Sequence, residues 1–337
     1  MNIPLHFRDF IATVVCDQNS ERCMTGKCED CRQMFEEKYS LNEGEPSTQQ
    51  EFFQWKNVDG RWLKVSQKGS LSDVLQALKL QLPAFLLHTF IKRKQSSHFE
   101  AEKSKANGKH IVLQVDFAEN YSIIQQNEIQ SGHWAHNQVT LFTACAYTNQ
   151  NTVSSYVVVS DDLVHGKFQV ATFLDKIIKD IKKECPNSES IAFFSDGAAS
   201  QFKQRYLFHN ITHFEEDYGL KVSWNFFATS HGKGAVDGIG GNVKRLVWNA
   251  TRTGAFVNNA ESFAAEAANR VKNIKVFYVP SQDVTDSQLV LSERWKHTCT
   301  LPGTHAVHTI ISSKRHMVRY SAYATSEHYD THAFITE

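Results

Sequence analysis

Residues 191–202, I-A-F-F-S-D-G-A-A-S-Q-F, constrain this chain more than any other stretch. Four mostly apolar residues run into Ser195, Asp196 and Gly197. A short continuous apolar run closed by a turn signal predicts a buried strand. The acid then stands at the C-terminal mouth of the strand, where open α/β sheets place their chemistry. Two other stretches share this design. Residues 110–121 (H-I-V-L-Q-V-D-F-A-E-N-Y) are an apolar strand carrying Asp116. Residues 222–241 (V-S-W-N-F-F-A-T-S-H-G-K-G-A-V-D-G-I-G-G) are an aromatic strand followed by a glycine-rich turn carrying Asp237. Three strands that each deliver one aspartate predict a metal site built from Asp116, Asp196 and Asp237.

The elements around these strands set the fold class. Strands are expected at 111–117, 138–147 and 153–160, the first two joined by a polar hairpin over 119–137. Residues 168–184 form an amphipathic helix with Val170, Phe173, Leu174, Ile177, Ile178 and Ile181 as one apolar stripe. The strand with Asp196 follows, then a helix over 201–218, a fifth strand over 221–228, a helix over 238–251 and another over 260–272. The order is β-β-β-α-β-α-β-α. Strands joined by short turns should be antiparallel, and strands separated by helices parallel through right-handed crossovers. The prediction is an α/β protein with a mixed sheet flanked by helices, in the order of the ribonuclease-H-like fold. In that fold the first and fourth strands lie side by side and bring Asp116 and Asp196 to one edge.

The first 40 residues hold four of the seven cysteines, Cys16, Cys23, Cys28 and Cys31. The C-x-x-C pair with Gly26 just upstream has the form of a knuckle that folds thiolates around Zn²⁺. Cys16 is the expected fourth ligand and His6 a substitute; four unrelated thiols are the alternative. Residues 41–60 read as a polar linker. Residues 71–94 read as a helix that Pro83 must kink or split. The helix ends in Lys92, Arg93 and Lys94, a phosphate contact or a solvated helix end. Residues 99–109 read as a hinge. The expected division is therefore 1–40, 41–109, 110–275 and a C-terminal extension over 276–337. In that extension His297, Cys299, His305 and His308 match no zinc spacing and read as ordinary residues.

Composition narrows the setting. The chain has 337 residues, 41% of them hydrophobic, so it can bury a sizeable core. Lys+Arg and Asp+Glu are 36 each, which argues against a simple DNA-coating protein without excluding a local basic face. There is no run of 18 apolar residues, so no membrane span is expected. The N-terminus lacks a signal-peptide pattern, so a cytosolic or nuclear setting is expected. There, cysteines are thiols or metal ligands rather than disulfides.

Phosphodiester cleavage and strand transfer use two hard cations about 3.5–4 Å apart. Mg²⁺ prefers oxygen ligands, a few carboxylates completed by water and substrate phosphate. A lone aspartate at a strand end is more often a cap, and for Asp196 and Asp237 that reading is strong. Asp116, inside an apolar strand, is harder to explain as a cap. The turn H-G-K-G-A-V-D-G-I-G-G lacks the G-x-G-x-x-G spacing of a dinucleotide site. Its amides with His231 and Lys233 could instead hold a phosphate, and Lys244 and Arg245 extend that contact.

The series V-D-F-A-E-N-Y, E-I-Q-S-G-H-W with Q-V-T-L-F, F-S-D-G-A-A-S-Q-F-K and F-F-A-T-S-H-G-K-G-A-V-D-G-I-G-G-N-V-K-R resembles a group of transposon-derived proteins. These look like cut-and-paste transposases with a ribonuclease-H-like D-D-E/D core. The resemblance covers about residues 70–310 and extends to the cysteine knuckle. It implies a nuclear, Mg²⁺-dependent (or Mn²⁺-dependent) DNA strand-transfer activity. Asp116 and Asp196 match the first two metal-binding acids. Asp237 fits best as the third, with Glu261 and Glu266 behind it; the glycines around Asp237 are unusual for that helix. DNA is the implied partner, a second copy of the chain an option, and a membrane is not expected. Such enzymes usually carry a separate end-recognising domain, so a fragment, a decayed copy or a domesticated protein is also consistent. Two rivals stand beside the transposase reading: an inactive nucleic-acid-binding protein of the same origin, and a nuclease without strand transfer.

Overall fold

A computed structural model describes residues 3–4, 6–40, 49–124, 137–229 and 234–335. The chain divides into two units, Met1–Arg93 and Lys94–Glu337. The first unit opens with three short helices, α1 (Phe7–Val14), α2 (Glu21–Met24) and α3 (Met34–Tyr39). Helix α1 buries Phe10, Ile11 and Val14, and α3 buries Phe35 and Tyr39. Phe10 and Tyr39 pack with ring centroids 6.0 Å apart, and the Thr13 hydroxyl is 2.7 Å from the Tyr39 hydroxyl.

Residues 50–60 are not linker. Strands β1 (Gln50–Val58) and β2 (Arg61–Gly69) pair antiparallel across Asp59 and Gly60. Both turn residues have positive φ, 50° and 81°, the requirement of the two-residue turn that matches strand twist. The D-G pair was the available signal; the polar run over 41–48, which lies outside the described residues, obscured it. Helix α4 (Leu71–Lys105) runs through Pro83, which removes one hydrogen bond without ending the helix. It also absorbs most of the expected hinge at 99–109. By length and composition alone α4 could cross a membrane, although Lys79, Gln81 and Pro83 interrupt its apolar positions.

The second unit is built on one nine-stranded mixed sheet with helices on both faces. Its strands are β3 (Asn107–Ser122), β4 (Gln138–Asn149), β5 (Thr152–Ser160), β6 (Ser190–Ser195), β7 (Lys221–Phe226), β8 (Ile274–Tyr278), β9 (Thr309–Lys314), β10 (Met317–Ser321) and β11 (Asp330–Ala333). Their order across the sheet is β11-β10-β9-β7-β6-β3-β4-β5-β8. Strands β3, β4 and β5 are antiparallel neighbours, whereas β6 runs parallel to β3 and β7 parallel to β6. The strands of residues 276–337 join the same sheet through β9 beside β7.

Ile111 to Val115 are buried at every position, so β3 must be covered on both faces. One face carries Leu113, Val115, Phe193 and Trp224 against the apolar stripe of α5 (Lys167–Glu184). The other carries Leu141, Val157 and Val159 against Val236, Val243 and Val247 of α8 (Ala235–Arg252) and Phe263 of α9 (Ala260–Arg270). The expected helix over 201–218 is broken. The carbonyl of Ala198 accepts from the amides of Gln201, Phe202 and Lys203, a tight turn that buries Phe202. Only then do α6 (Arg205–Asn210), a 3₁₀ turn (Ile211–His213) and α7 (Phe214–Tyr218) follow, with Gly219 closing α7 at φ 67°. Helix α10 (Ser281–Arg294) packs on α5.

Candidate functional site

The register of the parallel pair β3–β6 sets where the first two acids stand. The last paired residues are Gln114 and Phe194. Asp116 lies two residues further along β3, and Asp196 is the residue just past the end of β6, both at the C-terminal end of the pair. Side chains alternate along a strand, so Asp116 shares a face with Gln114. Adjacent strands are about 4.8 Å apart, which makes the two acids neighbours on one sheet edge.

Helix α8 crosses that same face, and its glycines let it approach closely. A Cβ on Gly234 would stand 2.8 Å from Gln114 Nε2. A Cβ on Gly240 would stand 3.1 Å from the Ala118 Cβ and 3.4 Å from the Thr143 Cγ2. Asp237 lies between these two contacts, in the first turn of α8. It is not the residue before the helix, as expected, but three residues into it. Its Oδ2 accepts from the Gly234 amide at 3.0 Å. Asp116 and Asp237 line one cavity of about 320 Å³ together with Glu119, Thr143 and Lys244. Gly234 and Gly240 therefore let the helix, with its acid, lie close on the end of β3, whereas a Cβ on Gly238 or Gly241 would meet nothing within 4 Å.

Electrostatics agree with the geometry. The Asp116 carboxyl is pushed up to about 7, first by burial and then by Asp196, with Asp237 adding to it. Burial also raises Asp196, whose Oδ1 accepts from the Ala198 amide at 3.1 Å. Asp196 thus keeps its turn-capping bond as well as its place on the edge. Raising the folded-state pKa of Asp116 above its unfolded value makes the folded protein the tighter proton binder. The linked stability is present below about pH 4 and is lost as pH rises to about 7. Asp116→Asn is therefore expected to stabilise the metal-free protein by on the order of 2 kcal/mol at pH 8 and by little at pH 4. Thermal unfolding of both proteins across that range in a chelator measures it; an equal gap at both pH values would contradict it.

The other predicted residues separate clearly. Lys244 faces the acidic cavity and donates to the Glu119 carbonyl, whereas Arg245 is exposed and bonds Asn242. His231 and Lys233 lie outside the described residues. Glu266 is paired with Arg270 at 2.7 Å, and Glu261 lies near Tyr278; neither lines the acidic cavity. One residue escaped the sequence reading. Lys203, 7% exposed, has its Cδ 3.5 Å from where a Gly197 Cβ would stand, and its Nζ donates to the His305 carbonyl. Burial lowers it to about 8. It is a buried cation beside the Asp196 turn, and its only sequence signal was its place ending F-S-D-G-A-A-S-Q-F-K.

In the first unit Cys16, Cys23, Cys28 and Cys31 each offer a sulfur within 4.8 Å of the others. Tetrahedral thiolates at about 2.3 Å from Zn²⁺ stand about 3.8 Å apart, so the group can hold the ion. Cys16 Sγ is 3.3 Å from Cys31 Sγ, and the Cys16 amide donates to Cys31 Sγ at 3.2 Å. The backbone amide of Cys31 holds the Cys28 thiol below its ordinary value. His6 is engaged as the cap of α1 instead.

The profile of a family described as a domain of unknown function (DUF8701) matches residues 95–324, and the chain belongs to that family. No curated protein and no solved structure matches it.

Proposed function

We propose that this protein is a ribonuclease-H-like polynucleotidyl transferase of the transposon-derived D-D-E/D kind, acting on DNA in the nucleus. The observation that carries this reading is that Asp116 meets each of the other two acids: Asp237 lines the same cavity, and Asp196 stands just past the end of the strand that runs parallel beside β3. The placing of β6 parallel beside β3, with β3, β4 and β5 antiparallel, supports it, since the resemblance implies the first and fourth strands side by side. Clustered carboxylates without an ion pair destabilise one another, and a divalent cation relieves them. The donors are hard oxygens, which suit Mg²⁺ or Mn²⁺ better than Zn²⁺. Asp116, Asp196 and Asp237 would hold the ions, which when bound stabilise charge on the attacking and leaving oxygens. Asp116 must give up its proton to bind. Lys244 stands at the cavity wall, where it can meet a phosphate.

The test is incubation of the full chain with supercoiled and linear duplex DNA, with Mg²⁺ and with chelator. Joined strands in Mg²⁺ alone support transfer. Free ends without joining would mark a nuclease. DNA binding that is indifferent to Mg²⁺, with no cleavage, would overturn the enzymatic reading in favour of an inactive binding protein.

A further inference from the structure

Three histidines that the acidic site does not use meet at the far end of the sheet. His209 lies in the last turn of α6, His213 ends the 3₁₀ turn that follows, and His316 sits in the turn between β9 and β10. Ser223 pairs with Ile311, so the turn after Lys314 projects past the N-terminal end of β7. Asp116 and Asp196 lie at the C-terminal ends of the parallel strands, on the opposite edge. The four residues singled out in the C-terminal segment are not this group. Cys299 instead has its sulfur 3.7 Å from His332 Nε2, and His308 Nδ1 faces the carbonyls of Ala306 and Ala322.

The three imidazoles form a nearly equilateral triangle. Ring centroids are 5.1 Å apart for His209–His213, 5.0 Å for His209–His316 and 5.1 Å for His213–His316. One ring nitrogen from each lies within 4.8 Å of the other two. Imidazoles bound to one tetrahedral ion at about 2.0–2.1 Å place their centroids roughly 5.2 Å apart, taking a ring radius of about 1.1 Å. The match is to within a few tenths of an ångström.

The surrounding bonds leave the right atoms for an ion. His209 Nδ1 meets the Thr298 hydroxyl at 2.7 Å, which fixes its ring and directs Nε2 to the centre. That Nε2 lies 2.7 Å from His316 Nδ1, a spacing an ion would open slightly. His213 is 5% exposed, and its Nε2 has no hydrogen-bond partner among the described residues. Its other nitrogen, Nδ1, lies 3.9 Å from the Glu216 carboxylate, beyond hydrogen-bond distance. A buried imidazole nitrogen left unpaired is costly unless something occupies its lone pair. The nearby cations are already matched, Arg294 to Asp217 at 2.7 Å and Arg315 to Glu216 at 3.1 Å.

His316 adds a backbone observation. It is one of three non-glycine residues with positive φ among those described, at 60°. Its amide donates to the Thr212 hydroxyl at 3.1 Å and its carbonyl accepts from Phe334 at 2.8 Å. The strained turn is held where its ring reaches the other two, and such strain persists only when the surroundings fix it.

We propose that His209, His213 and His316 bind a Zn²⁺ ion as its three protein ligands. Imidazole donors favour Zn²⁺ and its first-row neighbours over Mg²⁺, so this site and the acidic edge take different metals. The ion would pin α6 and the 3₁₀ turn to the β9–β10 turn.

The test counts metal in the full chain, purified in Zn²⁺ and freed of loose ion. The wild type should hold two zinc ions per chain, one at the cysteines and one here. His316→Asn keeps a residue that tolerates positive φ and should hold one. Cys28→Ser/Cys31→Ser should also retain one, and adding His316→Asn to it should leave none. With Co²⁺ as probe, that double cysteine variant should show a visible ligand-field band without thiolate charge transfer. His316→Asn should weaken the band's apparent affinity more than about 100-fold, the upper range for losing even an outer-shell partner. No zinc in the double cysteine variant, or a Co²⁺ band indifferent to His316→Asn, would overturn the site. Neither result bears on Mg²⁺-dependent DNA chemistry, so the two proposals fail separately.

Discussion

Asp116→Asn and Asp196→Asn are each expected to lower Mg²⁺-dependent DNA cleavage by about 10³-fold or more in single-turnover assays, without loss of fold. Each substitution removes a charged oxygen donor from an edge where the neighbouring strand supplies the other. Metal charge stabilisation is worth several kcal/mol, and about 4 kcal/mol corresponds to that factor. Asparagine has the same shape and keeps one acceptor oxygen, so the Ala198 amide still has a partner in Asp196→Asn. The metal-free variants should melt no lower than the wild type, because a repelling charge has gone. Asp237→Asn should fall with them, although its bond to the Gly234 amide survives in the amide side chain. Glu261→Gln and Glu266→Gln should retain activity, since neither glutamate lines the acidic cavity. Full activity in Asp116→Asn or Asp196→Asn would remove the mechanism. Full activity in Asp237→Asn alone would move the third ligand elsewhere.

What the sequence could disclose follows from how local each signal is. Strands β3 and β6 were legible because their apolar runs are continuous and each is punctuated by one acid. A buried strand has few other ways to be written. The stripe of α5 was legible for the same reason, with Val170 to Ile181 all buried. The helix expected over 201–218 was legible only in part: its first residues form the turn centred on the Ala198 carbonyl, which uses residues with acceptable helix propensity and is decided by burial of Phe202. The glycines around Asp237 looked foreign to a catalytic helix. The purpose of Gly234 and Gly240 appears only when Gln114, Ala118 and Thr143 are seen beneath them. Lys203 resembled any surface lysine, and the fold alone buries it. The histidine triangle was the least legible feature. His209 and His213 share helical spacing, but His316 arrives from a distant hairpin turn whose positive φ no pattern announces.

Loss of zinc from the cysteine cluster is expected to unfold residues 7–39 while the mixed sheet keeps its protection. The helices there are short, with α1 the longest at 8 residues, and isolated helices below about 12–15 residues are marginal in water. Their buried apolar side chains are few: Phe10, Ile11, Val14, Val15, Cys23, Met24, Phe35 and Tyr39. A core of that size rarely supplies more than about 3–5 kcal/mol, and so small a unit depends on a staple. Structural zinc supplies an apparent 10–16 kcal/mol in small zinc-dependent folds, which outweighs everything else this segment contains. Cys28→Ser/Cys31→Ser leaves two sulfurs and should abolish tight binding there. Hydrogen exchange on the full chain measures the outcome. Amides of Phe10, Ile11, Val14 and Phe35 should lose protection, while those of Ile111 to Val115 and Ile191 to Ser195 remain slow. Undiminished protection at Phe10 and Phe35 in the variant would show that α1 and α3 hold without metal, making the four thiols a bystander cluster.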